Sequence, residues 1–256
     1  MDHPHGTVAS SSKRREPNLT ANPIDGVKVF ADGADRDGIL ELRKNPIIQG
    51  FTTNPTLMRA AGVDDYESFA LDVLQLVPDL PISFEVFSDD VQEMEQQALK
   101  IASWADNVYV KVPVTNTRGE STGVLQRRLA DRGVKINVTA LMTVCQVEET
   151  VTSLVSGVPA YVSLFAGRVA DTGRDPIPIM IDALAALEPY PHVELIWASP
   201  RELLNVVQAA QIGCDIITVT HDLLKKLPTI GRDLDEFSLD TVRMFRRDAE
   251  QAGYSL

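Results

Sequence analysis

The chain has 256 residues, of which 44% are hydrophobic and 23% are charged, and its formal net charge is −12. This length and composition suit one large α/β domain with an ample core. The acidic balance disfavours nucleic acid and anionic membrane surfaces as partners, although a locally basic site for anionic substrates remains compatible with it.

Residues 1–26 are polar and contain Pro, Gly and Ser, which predicts a disordered N-terminal tail. The basic run Ser12-Lys13-Arg14-Arg15 within it is interpreted as solvated rather than as a binding patch. The tail lacks an apolar signal region, and the chain has no run of about 18 apolar residues, so we expect neither a secretion signal nor a membrane-spanning helix.

From residue 27 to residue 256, short β-branched runs alternate with longer amphipathic stretches, eight times in all. The predicted strands cover residues 27–32, 47–54, 82–87, 107–114, 134–141, 160–167, 193–199 and 215–221. The predicted helices cover residues 36–44, 56–77, 89–105, 121–132, 143–156, 176–188, 200–212 and 235–252. Strand–helix units of this kind favour parallel strands with crossover helices. Eight units in a chain of this size predict a single-domain α/β fold, a closed (β/α)8 TIM barrel; an open doubly wound sheet is the alternative.

Several residues mark where the predicted helices begin and end. Asp89-Asp90 and Ser199-Pro200 are typical of helix starts, because a short polar side chain caps the first turn and proline fits within it. Gly213 is a natural stop for the helix that Ser199-Pro200 would begin.

Side-chain alternation decides which residues face the barrel axis. In the fourth predicted strand Val108 and Val110 suit packing against helices, so Lys111 points toward the axis. On the seventh strand the same rule sends Ile196 and Ala198 outward. The other residues that alternation turns inward are Asp32, Thr52, Asn54, Glu85, Asn137, Thr139, Ser163, Phe165, Trp197, Ser199, Thr218 and Thr220.

Lys111 is the most informative of these inward residues. An amine on a buried strand is costly unless it is paired, neutral or used for chemistry, and a neutral amine attacks carbonyl carbons. Most of the inward polar residues lie near the carboxyl ends of their strands, where barrel enzymes carry their active sites. A barrel interior tolerates single hydrogen-bonded polar side chains. A functional site is the better explanation when Asp, Glu, Lys, Asn and Thr converge on one layer.

Two motifs carry a resemblance to a known family: Gly50-Phe51-Thr52-Thr53-Asn54-Pro55-Thr56 and Val110-Lys111-Val112-Pro113-Val114-Thr115. They resemble the Thr-Asn-Pro and lysine signatures of the short transaldolases and the related fructose-6-phosphate aldolases. Both groups are class I, Schiff-base enzymes on a (β/α)8 barrel, and the resemblance covers roughly residues 27–256. It implies sugar phosphate substrates and no cofactor or metal.

The resemblance also implies a role for each matching residue. Lys111 would form the Schiff base with the ketose donor, and Asp32 would handle protons at the sugar hydroxyls. Glu85 and Thr139 would hold a water that relays protons. The residues implied to bind the donor are Thr53, Asn54, Asn137 and Ser163.

A phosphate subsite is predicted at the end of the seventh strand. Ser199 and Arg201 stand at a predicted helix N-terminus, where anions bind, and transaldolases have Ser-Phe-Arg at the matching place. Arg168 is the third candidate ligand. The alternatives are a solvated first-turn residue for Arg201 and an ion pair with Asp171 for Arg168.

Two positions separate the sister activities in the resemblance. Fructose-6-phosphate aldolases carry Gln where this chain has Glu85 and Tyr where it has Phe165, whereas transaldolases carry Glu and Phe. A phenol near the enamine supplies a proton, which releases free dihydroxyacetone, and a phenyl ring does not. Both residues therefore imply a transaldolase. The resemblance implies a role in carbohydrate metabolism, such as the pentose phosphate pathway, and we expect a cytoplasmic enzyme. An aldolase that releases dihydroxyacetone and a catalytically silent sugar phosphate sensor are the alternatives.

Three departures from the family pattern leave the donor and acceptor sugars open. Gly33 follows Asp32 where the family has Thr or Ser, Pro200 replaces an aromatic residue, and Leu164 stands where many members have Pro. A specialised biosynthetic pathway is therefore an alternative to central metabolism.

The remaining residues carry weaker expectations. Phe237, Val242 and Phe245 on the last predicted helix would pack on the barrel or on a partner subunit of a homo-oligomer. His221 is interpreted as a helix-start residue rather than a substrate contact. The two cysteines, Cys145 and Cys214, are too few for a disulfide framework, fit a reducing cytosol, and are expected to be small buried or half-buried residues.

Overall fold

The computed structural model describes residues 23–255. Most of the predicted tail, including Ser12-Lys13-Arg14-Arg15, lies outside the described residues. Residues 23–26 form a turn that leads into the first strand.

Eight parallel strands close into a barrel in chain order, and the last strand pairs with the first. The strands are β1 (Lys28–Asp32), β2 (Ile48–Thr52), β3 (Ile82–Glu85), β4 (Val108–Pro113), β5 (Ile136–Leu141), β6 (Ala160–Leu164), β7 (Val193–Trp197) and β8 (Ile216–Thr220). The predicted (β/α)8 barrel is confirmed, and the open sheet is wrong.

Helices follow every strand, and more of them are present than the eight predicted. They are α1 (Arg36–Leu42), α2 (Pro55–Ala60), α3 (Tyr66–Leu76), α4 (Val91–Ala102), α5 (Gly123–Asp131), α6 (Val144–Ser153), α7 (Ala166–Ala170), α8 (Ile177–Leu187), α9 (Leu204–Gln211), α10 (His221–Leu224) and α11 (Leu234–Gln251). A 3-10 turn spans Leu227–Thr229. The predicted helix 56–77 is two helices, because Gly62 turns the chain with φ +73° and Asp65 caps α3.

The predicted helix signals are right at two places and wrong at one. Asp90 accepts hydrogen bonds from the first-turn amides of α4, and Gly213 follows α9 in the left-handed conformation (φ +75°). The predicted start at Ser199-Pro200 is wrong, because α9 begins at Leu204 without a side-chain cap. Ser199 instead has φ +60°, so the chain turns there before the helix.

The core has two parts, one on each side of the barrel wall. Residues such as Val108, Val110 and Val112 belong to the large outer cluster between the strands and helices. The inner cluster fills the barrel and consists of Phe30, Tyr109, Tyr161, Ile196, Ala198 and Ile216, with Phe165 packed against it. The predicted alternation is therefore confirmed on β4, where Tyr109 lies inside.

Alternation fails on β7. Ile196 and Ala198 lie in the inner cluster, whereas Trp197 is fully buried in the outer one, the reverse of the prediction. Apolar residues occupy both parities of this strand, Leu195 and Trp197 on one and Ile196 and Ala198 on the other, so the pattern held little information about direction. The space between the strand and the helices accommodates the indole.

The last helix, α11, has no buried residue. Phe237, Val242 and Phe245 are 47%, 59% and 64% exposed, so the expectation that they pack on the barrel is wrong. A partner subunit remains a prediction. Cys214 is buried as expected, but Cys145 is exposed on α6, contrary to expectation. Within residues 23–255, no helix is long and apolar enough to cross a membrane.

Candidate active site

Lys111 lies inside the barrel near the carboxyl end of β4 and is 6% exposed. Its register neighbours are Glu85 on β3 and Asn137 on β5. The Lys111 Nζ donates to the Thr53 carbonyl oxygen at 2.9 Å and lies 3.5 Å from Glu85 Oε2. The carboxylate and the carbonyl compensate the buried amine, which meets the condition for keeping it inside the barrel.

Asp32 ends β1 and also faces the interior. Its Oδ1 accepts a hydrogen bond of 2.7 Å from Thr52 Oγ1, and that hydroxyl also contacts Thr218 Oγ1. Burial raises the pKa of Asp32 above its ordinary value, because desolvation outweighs the opposing attraction of Lys111 and the Thr52 hydrogen bond. A buried carboxyl with a raised pKa is suited to exchanging protons with a ligand.

Thr139 ends the inward-facing row of β5. Its hydroxyl is buried and has no hydrogen-bond partner among residues 23–255. Ala140, the next residue, has φ +66°, and the register between β5 and β6 shifts there. Because an unsatisfied buried hydroxyl is costly, Thr139 is arranged to hydrogen-bond a ligand or solvent.

A hydrogen-bonded chain of side chains crosses three strands beside Lys111. Asn137 Nδ2 donates to Ser83 Oγ at 3.0 Å, and Ser163 Oγ donates to Asn137 Oδ1 at 2.7 Å. Asn137 and Ser163 were both predicted to lie in the site. Ser83 was missed, although it has the same strand parity as Glu85, which could have identified it. The chain fixes the amide orientation of Asn137.

The Thr53-Asn54 pair connects β2 to α2. Asn54 Oδ1 caps α2 by accepting from the Leu57 amide at 3.0 Å, which leaves the Asn54 Nδ2 as a donor. Thr53 differs from the prediction, since its hydroxyl donates to the Ser83 carbonyl at 2.9 Å. Its backbone carbonyl, not its side chain, therefore faces Lys111.

The predicted phosphate residues Ser199, Arg201 and Arg168 lie around the start of α7. A Cβ atom added to Gly167 would stand 1.6 Å from the Ser199 carbonyl oxygen, so only glycine allows α7 to approach the end of β7. Phe165 precedes α7 and packs against the inner cluster.

Ion pairing in this group differs from the expectation. The Arg201 guanidinium donates two hydrogen bonds to the Asp171 carboxylate, one of them from Nε to Oδ1 at 2.9 Å. These hydrogen bonds lower the pKa of Asp171. The alternative of an Arg168–Asp171 ion pair is therefore wrong. Arg168 is exposed and has no ion pair among residues 23–255.

Tyr66, the first residue of α3, was also missed by sequence reasoning. Its hydroxyl donates to the Glu85 carbonyl at 2.9 Å and accepts from the Glu85 amide at 2.7 Å. The ring packs among Phe84, Phe87 and Trp104. Tyr66 thus holds the main chain of Glu85 from outside the barrel.

Changing Tyr66 to Phe should lower the free energy of unfolding by about 1–3 kcal/mol, because two backbone groups of Glu85 lose their partner. Urea denaturation of Tyr66→Phe beside wild type measures this. Tyr254→Phe is the control, since Tyr254 is 82% exposed. Equal stability of Tyr66→Phe and Tyr254→Phe would contradict the assigned contact.

The sequence is similar to those of known proteins. A family model described as transaldolase/fructose-6-phosphate aldolase matches residues 29–256. A probable transaldolase of Dehalococcoides mccartyi is 34% identical over 203 residues, which is 78% of this chain and 90% of the relative. One from a Thermoanaerobacter species is 32% identical over 231 residues, covering 90% of this chain and all (100%) of the relative. One from Methanococcus maripaludis is 31% identical over 218 residues, 84% of this chain and 97% of the relative.

A solved structure supports the fold alone. A crystal structure from Burkholderia cenocepacia, named "putative phosphonomutase", superimposes with a TM-score of 0.52 and covers 88% of this chain and 94% of its own. Its sequence identity is 13%, so this likeness says nothing about the reaction.

Proposed function

The chain belongs to the transaldolase/fructose-6-phosphate aldolase family, and we propose that it is a transaldolase that moves a dihydroxyacetone unit through a Schiff base on Lys111. The observation that carries this proposal is the buried amine of Lys111, held between the Thr53 carbonyl and the Glu85 carboxylate. An amine held in this way, at the end of a barrel that contains further polar groups, is suited to attack a ketone carbonyl.

The first step joins the Lys111 nitrogen to the C2 carbonyl of a ketose phosphate, and water leaves. Glu85, 3.5 Å from the amine, is within reach to accept and return the protons that this dehydration moves. Thr139, with its unpartnered buried hydroxyl, would hold the relay water beside Glu85.

The second step breaks the C3–C4 bond. The C4 hydroxyl proton goes to Asp32, C4 leaves as the aldehyde of an aldose phosphate, and the electron pair is taken up by the protonated imine to give an enamine. The raised pKa of Asp32 favours this proton transfer, because the buried carboxylate gains from protonation. Attack of the enamine on a second aldehyde, followed by hydrolysis, reverses both steps and frees Lys111.

Donor hydroxyls would be held by the groups around the amine. Asn137 keeps one amide hydrogen beyond its bond to Ser83, and Asn54 keeps its whole amide group as a donor beyond its cap. Ser163 orients Asn137. For the phosphate, Arg168 is the available cation. Ser199 would also contribute, and Arg201 would bind the phosphate while it stays paired with Asp171.

Phe165 supports transfer over release of the three-carbon unit. Its ring has no proton to give the enamine, so the enamine survives until an aldehyde arrives. Changing Phe165 to Tyr should therefore raise the acceptor-independent release of free dihydroxyacetone from fructose 6-phosphate by about 10²-fold, the scale of one general acid. Enzymatic detection of dihydroxyacetone measures it.

The control for this change is Phe245→Tyr, which adds a phenol on the exposed face of α11. If Phe165→Tyr still forms the Schiff base but releases no more free dihydroxyacetone than wild type, Phe165 does not decide between transfer and release. Free dihydroxyacetone as the main product of wild type would favour the aldolase alternative instead.

The proposed function is tested by supplying fructose 6-phosphate with erythrose 4-phosphate, two sugars of the pentose phosphate pathway. The expected products are sedoheptulose 7-phosphate and glyceraldehyde 3-phosphate, identified by mass spectrometry. A wider panel of donors and acceptors covers a specialised pathway. No turnover with any pair would favour the silent sensor and overturn the proposal.

A further inference from the structure

His221 is a half-buried residue that the proposed reaction does not use. It begins α10 immediately after Thr220, which pairs in register with Asp32 across the β8–β1 seam. Its Nε2 is buried and has no hydrogen-bond partner among residues 23–255. A buried ring nitrogen without a hydrogen bond is costly, so a ligand that hydrogen-bonds to Nε2 would stabilise it.

Two glycines make the space for this imidazole. A Cβ atom on Gly33 would stand 2.9 Å from His221 Nε2, and one on Gly38 would stand 2.5 Å from His221 Cε1. Neither glycine has a positive φ, so the backbone does not require glycine at either place. A side chain at either position would instead displace the ring from its present place.

Gly33 is also one of the positions where the chain departs from the resemblance, since Thr or Ser usually follows the aspartate. The missing side chain and the imidazole occupy the same place. The chain therefore has a ring nitrogen beside Gly33, the residue that follows Asp32, where a hydroxyl side chain would otherwise stand. His221 is also the smallest of the influences that lower the pKa of Asp32, after Lys111 and the Thr52 hydrogen bond.

We propose that His221 binds the aldose half of the sugar, through the hydroxyl on the carbon next to the aldehyde, and thereby sets which aldehydes the enzyme accepts. This inference rests on the proposed transaldolase function. Lys111 on β4 fixes the three-carbon unit, and Asp32 on β1 takes the proton of the C4 oxygen. The sugar chain beyond C4 then continues past β1 and β8, where His221 lies.

The test compares acceptors that differ by one hydroxyl-bearing carbon. Glyceraldehyde 3-phosphate has a hydroxyl next to its aldehyde, and glycolaldehyde phosphate has none. In His221→Leu we expect kcat/KM to fall by about 10-fold or more for glyceraldehyde 3-phosphate, since a polar contact to a substrate hydroxyl discriminates strongly. The value for glycolaldehyde phosphate should change less than about twofold.

A structural role for His221 predicts a different result. If the ring only fills space, the two acceptors lose activity in the same proportion, and that outcome overturns the inference. Borohydride trapping of wild type and His221→Leu with free dihydroxyacetone, which has no aldose half, should give equal adduct at Lys111. Asp222→Asn, an exposed change on the same short helix, is the control for damage to α10.

Gly33→Ala gives a second, independent variant. It keeps the imidazole but places a methyl group 2.9 Å from Nε2, so the ring must move. We expect the same loss of discrimination between the two acceptors as in His221→Leu. Unchanged selectivity in Gly33→Ala and His221→Leu together would reject the inference, whereas a wild type with no transaldolase turnover would reject the proposed function itself.

Discussion

Replacing Lys111 with Met should abolish sugar turnover while the barrel stays folded. Methionine keeps the length and apolar stem of the side chain but has no amine, so no imine forms and the C3–C4 bond has no electron sink. Loss of a covalent catalytic group costs about 10⁴-fold or more in kcat, which places Lys111→Met at background.

Borohydride reduction in the presence of fructose 6-phosphate, followed by intact-mass spectrometry, measures the covalent step directly. Wild type should gain the mass of a reduced sugar adduct, and Lys111→Met should gain none. Lys135→Met is the control, because Lys135 immediately precedes β5 and its Nζ donates to the Asp106 carbonyl rather than facing Glu85. An adduct that persists in Lys111→Met, or one that disappears in Lys135→Met, would reject Lys111 as the site of the Schiff base.

Much of the barrel follows from local patterns in the sequence. The strand–helix unit repeats eight times, and parallel strands need crossover helices. Eight such units favour a closed barrel over an open sheet. Alternation placed Lys111, Glu85 and Asp32 inside because valine, phenylalanine or alanine marks the opposite face of their strands. On β7 this argument failed at Trp197, since both faces carry apolar residues along most of the strand.

The contacts that fix the site were beyond local patterns. Tyr66 contacts Glu85 from 19 positions away, and Arg201 pairs with Asp171 from 30 positions away. Helix and strand periodicity relates only near neighbours, so it predicts neither contact. The His221 ring lies where Gly33 and Gly38 leave space, which only the folded chain brings together. Short elements such as α7 and α10 were missed because four or five residues are too few for helical periodicity.

Asp32→Asn should have opposite effects on activity and stability. Asparagine keeps the shape and the acceptor for Thr52 Oγ1 but cannot take the C4 proton, so kcat should fall by about 10²–10⁴-fold, the usual contribution of a general acid–base group. At neutral pH the same change should raise the free energy of unfolding, because it removes a buried carboxylate whose desolvation is unfavourable.

The pH dependence of this stability gain follows from the direction of the pKa shift. Folding raises the pKa of Asp32 above its value in the unfolded chain, so the folded protein holds the proton to a higher pH than the unfolded chain does. The stability that this proton contributes is fully present below the unfolded pKa and is lost as pH rises through the folded pKa. The advantage of Asp32→Asn over wild type should therefore grow across that window and stay constant above it.

Urea denaturation of both proteins over a pH series measures this difference, with Asp182→Asn, an exposed carboxylate on α8, as the control. An Asp32→Asn protein less stable than wild type at every pH would mean that Lys111 and Thr52 overcompensate the burial of the charge. A gain in stability together with a loss of turnover would show that the barrel keeps this carboxylate at a cost in stability. Such a cost is expected where a buried charge serves chemistry rather than folding.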